Sequence, residues 1–300
     1  MGDDPYPPAA NIDAMPAEES ALRPARALLG WLSAKQARGH LNAQRRDAEL
    51  TDEQRRAVEQ AHARVAARPK FEGGSAVLGP CPEILFEHRA ALYGHERFSA
   101  MRNEGWEIAI VDLERVCVVQ PTVLSDPDPR VETNLDPGDL MALAKITLPI
   151  PNPLVVPYQV DSAKNVAALS SPNPNLRIVG FRAQQIGQGT LLGFVVEIAT
   201  SFVQVAEFGG RFVLTDGTHR AVSLFKQGIA RIPALMRTYA HGENLGLAKS
   251  VLSPATYLGE RPPQVGDYWN PAVSTAITVP RARKLVIVQA IEQSLVTGSG

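Results

Sequence analysis

The chain has little of several things that would betray a function. Two cysteines in 300 residues, Cys81 and Cys117, cannot build a disulfide framework, and with no His or Cys partner at ligand spacing they do not suggest zinc. A reducing, cytoplasmic setting is the expectation. No charge of one sign dominates: Lys plus Arg is 30 against Asp plus Glu 31, a formal net charge of −1, so no global basic field advertises nucleic acid or an anionic membrane. Any nucleic-acid surface must be local. No apolar run is long enough to span a bilayer, no basic-then-apolar leader is expected, and no internal repeat is visible. An apolar content of 45% can still furnish a core, for one large domain or two ordinary ones.

Residues 1 to 20 are rich in Pro, Ala, Asp and Glu without periodicity and read as a disordered tail. Residues 21 to 70 read as a helical hairpin. Leu28, Leu29, Leu32, Ala37 and Leu41 suit an amphipathic helix over 22–46, and Thr51-Asp-Glu-Gln54 opens a second that Pro69 stops. Arg45, Arg46, Arg55 and Arg56 belong to the most basic stretch of the chain, either a solvated face or a local nucleic-acid surface. Gly73-Gly-Ser75 and Gly79-Pro-Cys-Pro82 place a boundary between 70 and 80, leaving 80–300 as an α+β domain. Within it, Trp106–Asp112 and Arg115–Pro121 read as a β-hairpin, Ala144–Ile150 as a further β-rich run, and Arg281–Ala290 as a closing strand.

The stretch that organises the rest is Phe212–Met236, read as strand, tight turn, helix, turn and strand. Phe212-Val-Leu214 are β-formers, Asp216-Gly217 is a turn dipeptide, and Ala221, Leu224 and Phe225 recur at helical spacing. Gly228 ends the helix and Ile232-Pro-Ala-Leu-Met236 follows as a strand. Free N–H groups at a helix start, a glycine permitting close approach and an arginine fork make an oxyanion site of Asp216, Gly217, Thr218, His219 and Arg220. The alternative is structural: Asp216 caps, Gly217 turns, and His219 and Arg220 are solvated.

This segment, Leu214-Thr-Asp-Gly-Thr-His-Arg-Ala-Val-Ser-Leu-Phe-Lys-Gln-Gly-Ile-Ala-Arg-Ile-Pro233, resembles the signature of the ParB/sulfiredoxin-like superfamily. There a D-G-x-H-R or G-E-R-R loop opens a helix and a G-(I/L)-x-x-(I/V)-P follows. The resemblance spans residues 200 to 240 and implies a mixed-sheet α+β fold in which Gly217 to Arg220 line a phosphate site, with Arg220 and His219 touching the ligand. Superfamily members bind CTP, use ATP as phosphotransferases, or are described as nucleases. Two departures limit the transfer. Thr218 stands where sulfiredoxins carry their catalytic cysteine, and His219 stands where partition proteins carry a second arginine, so neither sulfiredoxin activity nor CTP use is implied.

Two further groups complete the expected site. Asn173 and Asn175, in a loop stiffened by Pro172 and Pro174, could read a base or sugar edge, or be ordinary turn residues. Glu207, leading through Gly209-Gly210 into the motif strand, could pair with Asp216 near bound phosphates, or merely pair an arginine. The expectation is a protein that binds a nucleotide or another phosphate-bearing small molecule. It would act as a phosphotransferase or nucleoside-triphosphate hydrolase on a triphosphate with Mg²⁺, with Asp216, His219 and Glu207 as the candidate catalytic groups. A metal-dependent nuclease and a non-catalytic interaction module are the alternatives, and no membrane is expected to be a partner.

Overall fold

The computed structural model describes residues 22–42, 48–152, 154–241, 245, 247 and 251–291. The expected N-terminal tail, together with Arg45 and Arg46, lies outside them. The described strands are β1 (Leu22–Ala27), β2 (Val77–Pro80), β3 (Glu107–Asp112), β4 (Val116–Val118), β5 (Thr122–Leu124), β6 (Tyr158–Asp161), β7 (Val166–Ser171), β8 (Leu176–Ile186), β9 (Gly189–Ile198), β10 (Gln204–Phe208), β11 (Arg211–Asp216), β12 (Arg231–Thr238), β13 (Thr275–Pro280) and β14 (Lys284–Gln289). The helices are α1 (Ala34–Leu41), α2 (Asp52–Ala66), α3 (Phe86–Tyr93), α4 (Glu96–Asn103), α5 (Leu140–Thr147), α6 (Thr218–Lys226) and α7 (Pro254–Tyr257). The fold is mixed α+β, and no described helix is long and apolar enough to cross a membrane.

The described residues fall into two compact units, one formed by 22–151 with 201–280 and the other by 152–200 with 281–291. The larger unit is built on a six-stranded mixed sheet in the order β2-β3-β12-β10-β11-β4. Its interior residues explain why. Val111, Val116, Val118, Val205, Val213 and Leu214 are fully or almost fully buried, and each such side chain contributes roughly 1.5–3 kcal/mol by leaving water. A three-stranded antiparallel sheet, β13-β1-β5, belongs to the same unit.

Ser33 with Gln36 and Thr51 with Gln54 close reciprocal capping boxes at the starts of α1 and α2. The segment before α1 differs from the expected helix. Leu22–Ala27 is strand β1, because it pairs antiparallel with β13 on one side and β5 on the other, and those ladder bonds decide its conformation. Pairing of β1 with β13 also places the N-terminal segment in the same unit as the motif, so no boundary falls at 70–80. Ala144–Thr147, expected as strand, completes α5, whose first turn Asp139 caps through Ala142 N–H at 2.9 Å. The expected β3–β4 hairpin does not form. β3 pairs with β2 and β12 while β4 pairs in parallel with β11 at the far edge of the sheet.

The smaller unit holds the three-stranded antiparallel sheet β14-β7-β6 and the two-stranded ribbon β8–β9. The chain leaves the larger unit after α5 and returns before β10, and Val203 N–H donates to Thr147 O at 2.8 Å where the two ends meet.

Candidate functional site

The motif strand-turn-helix is formed as the residues imply. Gly209 (φ 58°) and Gly210 (φ 72°) both take the left-handed conformation, as a tight hairpin between β10 and β11 requires. At the other end of β11 stands Gly217, the N-cap of α6, at φ 77°. A Cβ there would lie 2.7 Å from Val203 Cα and 3.0 Å from Phe202 O, backbone atoms that cannot give way, so glycine is demanded twice over. Glycine also supplies no side-chain acceptor, and the first-turn amides of α6 have no side-chain cap. Asp216 turns back to accept the Gly217 N–H on Oδ1 at 2.6 Å.

Beyond Asp216 opens a cleft of about 720 Å³. Its walls are the C-terminal end of β11 (Thr215, Asp216), the start of β10 (Gln204), the β4–β5 connection (Val119–Thr122), the end of α4 with Trp106, and the end of β12 with Arg237 and Tyr239. Gln204 sits opposite Asp216 in the ladder, and Thr215 Oγ1 donates to Gln204 O at 3.3 Å. Across the opening, Arg237 donates to Glu104 Oε2 at 3.0 Å and lies over the Tyr239 ring at 4.4 Å, which is itself set edge to face with Trp106 at 6.2 Å. Desolvation raises the Asp216 carboxyl above its ordinary range, against the Gly217 N–H bond and the charges of Arg220 and Arg130, which pull the other way. Burial lowers His40, also on the cleft wall, so its imidazole is neutral at pH 7.

The other motif residues point elsewhere. Arg220, expected to touch a ligand, is completely buried, and its guanidinium donates to Ile146 O at 2.9 Å, to Thr147 O at 3.3 Å and to Ser201 Oγ at 2.9 Å. It thereby ties the end of α5 to the segment that returns to β10. Desolvation brings its pKa down to about 10. Thr218 is buried with Oγ1 unpartnered among the described residues, as is Arg220 Nε. Near them lies an ion pair in which Arg130 holds both carboxylate oxygens of the almost fully buried Asp128, at 2.8 and 2.7 Å. Desolvation pushes the Asp128 carboxyl up, but the bonds and charge of Arg130 outweigh it and hold it below its usual value. His219 is half-buried near this pair. Burial lowers its pKa, Asp128 raises it, and Arg23 and Arg130 lower it further.

Glu207 is not brought to Asp216. The β10–β11 register pairs Glu207 with Phe212 and Gln204 with Asp216, so the two carboxylates stand at opposite ends of the hairpin, and Glu207 accepts from Thr238 Oγ1 at 2.8 Å. Asn173 and Asn175 belong to the smaller unit and build a turn: Asn175 N–H donates to Asn173 Oδ1 at 3.0 Å, and Asn175 O accepts from Ala199 N–H. The site residues that sequence reasoning missed are Gln204, Glu104, Trp106, Arg237 and Tyr239. Only Arg237 and Tyr239, just past the G-I-x-x-I-P strand, carried a signal, as a cation and an aromatic at the same strand end as the loop. No group of three or more His, Cys, Asp or Glu among the described residues could hold a metal by itself. Comparison with family models, with characterised proteins and with solved structures returns no match.

Proposed function

We propose that the cleft beside Asp216 binds a phosphate-bearing small molecule of the nucleotide class. The observation that carries this is the placement of Asp216: a desolvated carboxyl on the wall of a 720 Å³ cleft, immediately before a helix that opens on glycine with no side-chain cap. Helix starts of this kind favour anions through their free N–H groups and dipole. The facing wall adds a guanidinium, Arg237, for charge, and the Trp106 and Tyr239 rings for a planar base. The likeness of Leu214–Pro233 to the ParB/sulfiredoxin-like signature points the same way, with the contacts redistributed: Asp216 and Arg237 meet the ligand, while Arg220 supports the loop from behind.

Mg²⁺ fits this site only in company with the ligand, because it accepts one or two carboxylates plus phosphate oxygens rather than a full protein cage. Asp216 is the residue that would hold it, and the ion would neutralise phosphate charge there. Nothing else in the cleft duplicates that carboxylate, since Glu104 is engaged by Arg237. This reading favours binding, with hydrolysis or phosphoryl transfer as the activity to assay.

Calorimetric titration with nucleoside mono-, di- and triphosphates, with and without Mg²⁺, tests the proposal. One of them should bind, and Arg237→Ala should weaken it by one to two decades, the loss of a charge-assisted bond of about 1.5–3 kcal/mol. If none binds at millimolar concentration, or if Arg237→Ala and Asp216→Asn leave the affinity unchanged, the cleft is not the site.

A further inference from the structure

The strands of the smaller unit carry an anomaly unrelated to the cleft. Most of the large apolar side chains that the described residues leave exposed lie in this unit, and the β8–β9 ribbon holds the densest group. The register sorts them. Ile178 stands opposite Val196, Phe181 opposite Phe194 and Ala183 opposite Leu192, so these six residues share one face. The phenylalanine rings meet edge to face at 5.5 Å. Arg182, Gln184 and the Arg177/Glu197 pair fall on the other face, among the exposed Ile186, Leu191 and Val195, so only the first face is free of charge. The first face therefore carries no charge, yet Phe181 is 55% exposed, Phe194 50% and Leu192 63%.

An isolated two-stranded ribbon is at best marginally stable in water and needs further strands or a covering layer. A chargeless stripe of aromatic and aliphatic side chains, closed at its tip by the polar pair Gln185 and Thr190, is the composition of a surface meant to be covered. It also identifies the cover. The face lacks the charges by which a hetero-partner is selected and has the apolar character of homodimer interfaces, while a net charge of −1 sets up no repulsion between copies. The Phe181/Phe194 rung lies near the middle of the stripe, so a two-fold axis through it sets each stripe on its own image.

The size is adequate as well. Strands of 11 and 10 residues present a face roughly 35 Å long and 10 Å wide, so two such faces stacked about 10 Å apart cover about 700 Å² in projection, and the relief of half-exposed Phe, Leu and Ile side chains brings the accessible surface removed toward the roughly 1,000 Å² threshold for a specific interface. We propose that the β8–β9 ribbon is a self-association surface, through which two copies of the chain stack their Phe181/Phe194 faces into a four-stranded sandwich.

Sedimentation velocity of the full chain across a concentration series tests this directly. The wild type should pass from the 32.4 kDa monomer to twice that mass with a midpoint roughly in the micromolar range expected of a small interface. Phe194→Glu should move the midpoint up by at least a hundredfold, because the two-fold axis brings each new charge close to its own copy. Phe194→Lys should do the same, and an equimolar mixture of the two variants should regain the dimer, a rescue that misfolding could not produce. Arg182→Glu, on the opposite face, should leave the midpoint unchanged. A wild type that stays monomeric at several hundred micromolar overturns the proposal whatever the variants do. If that monomer instead co-sediments with vesicles of zwitterionic lipid and Phe194→Glu abolishes it, the stripe is a lipid-facing surface and the second-copy assignment is likewise wrong.

Discussion

Replacing Arg220 by alanine should unfold the loop's support and spare nothing of the loop's geometry. The guanidinium is fully buried and spends its donors on two carbonyls at the end of α5 and on Ser201 Oγ. Thr147 O keeps its bond from Val203 N–H, and Ser201 Oγ keeps a long contact with Arg130 at 3.5 Å, but Ile146 O loses its side-chain partner. The buried carboxyl of Asp216 loses the stronger of the two positive charges acting on it as well. Removing one member of such a network costs about 3–5 kcal/mol, which for a chain of this size lowers the melting temperature by roughly 10 °C. Arg220→Lys keeps the charge but cannot span the three acceptors with one planar fork, so about half that loss is expected. Urea unfolding followed by tryptophan fluorescence measures both. If Arg220→Ala unfolds within about 0.5 kcal/mol of wild type while ligand affinity collapses, the guanidinium faces a ligand and its role as a staple is refuted.

Two further outcomes follow from the same geometry. Gly217→Ala should destabilise by about 2–4 kcal/mol, adding left-handed strain to a clash with the Val203 backbone, whereas Gly228→Ala, at φ 81° with open space around it, should lose only about 1–2 kcal/mol; equal losses in chemical denaturation would dismiss the clash. Asp216→Asn should stabilise the unliganded protein at pH 7: the folded pKa is raised, so the cost of the buried carboxylate is present above that pKa and disappears as pH falls below the ordinary value near 3.8, and the advantage of the variant should vanish over that window, while an advantage that persists unchanged at pH 3 would assign it to something other than ionisation.

The local grammar of the motif was legible. Gly217 and Gly228 announced their positive φ, Gly209-Gly210 announced the hairpin, and the capping pairs at Ser33 and Thr51 are formed, although only the one at Thr51 is among those read from the sequence. What could not be read was anything decided by pairing over long sequence distance. β1 is a strand because β5 and β13 flank it, about a hundred and two hundred and fifty positions away, and the residues 22–27 carry no alternation to say so. Glu207 and Asp216 looked like partners because they flank one hairpin, but in an antiparallel ladder the residues nearest the turn and those nearest the open end are the farthest apart. The cleft was the least legible part, since Glu104 and Trp106 from the α4–β3 connection, Gln204 from β10 and Arg237 from β12 converge from three places that only the sheet order brings together.

Arg220 shows how a motif residue can be both indispensable and remote from a ligand. A cation in the first turn of a helix opposes the dipole, and a bound anion is one way to offset that. The structure uses another. Carbonyl oxygens at the end of α5 present the negative end of a second helix to the guanidinium, so the favourable placement of Arg220 at the C-terminus of α5 offsets its unfavourable place in the first turn of α6. The same bonds hold together the two ends between which residues 152–200 leave and return to the larger unit. With the arginine turned inward to α5 and Ser201, it is the carboxyl of Asp216, not the guanidinium behind it, that the motif presents to the cleft.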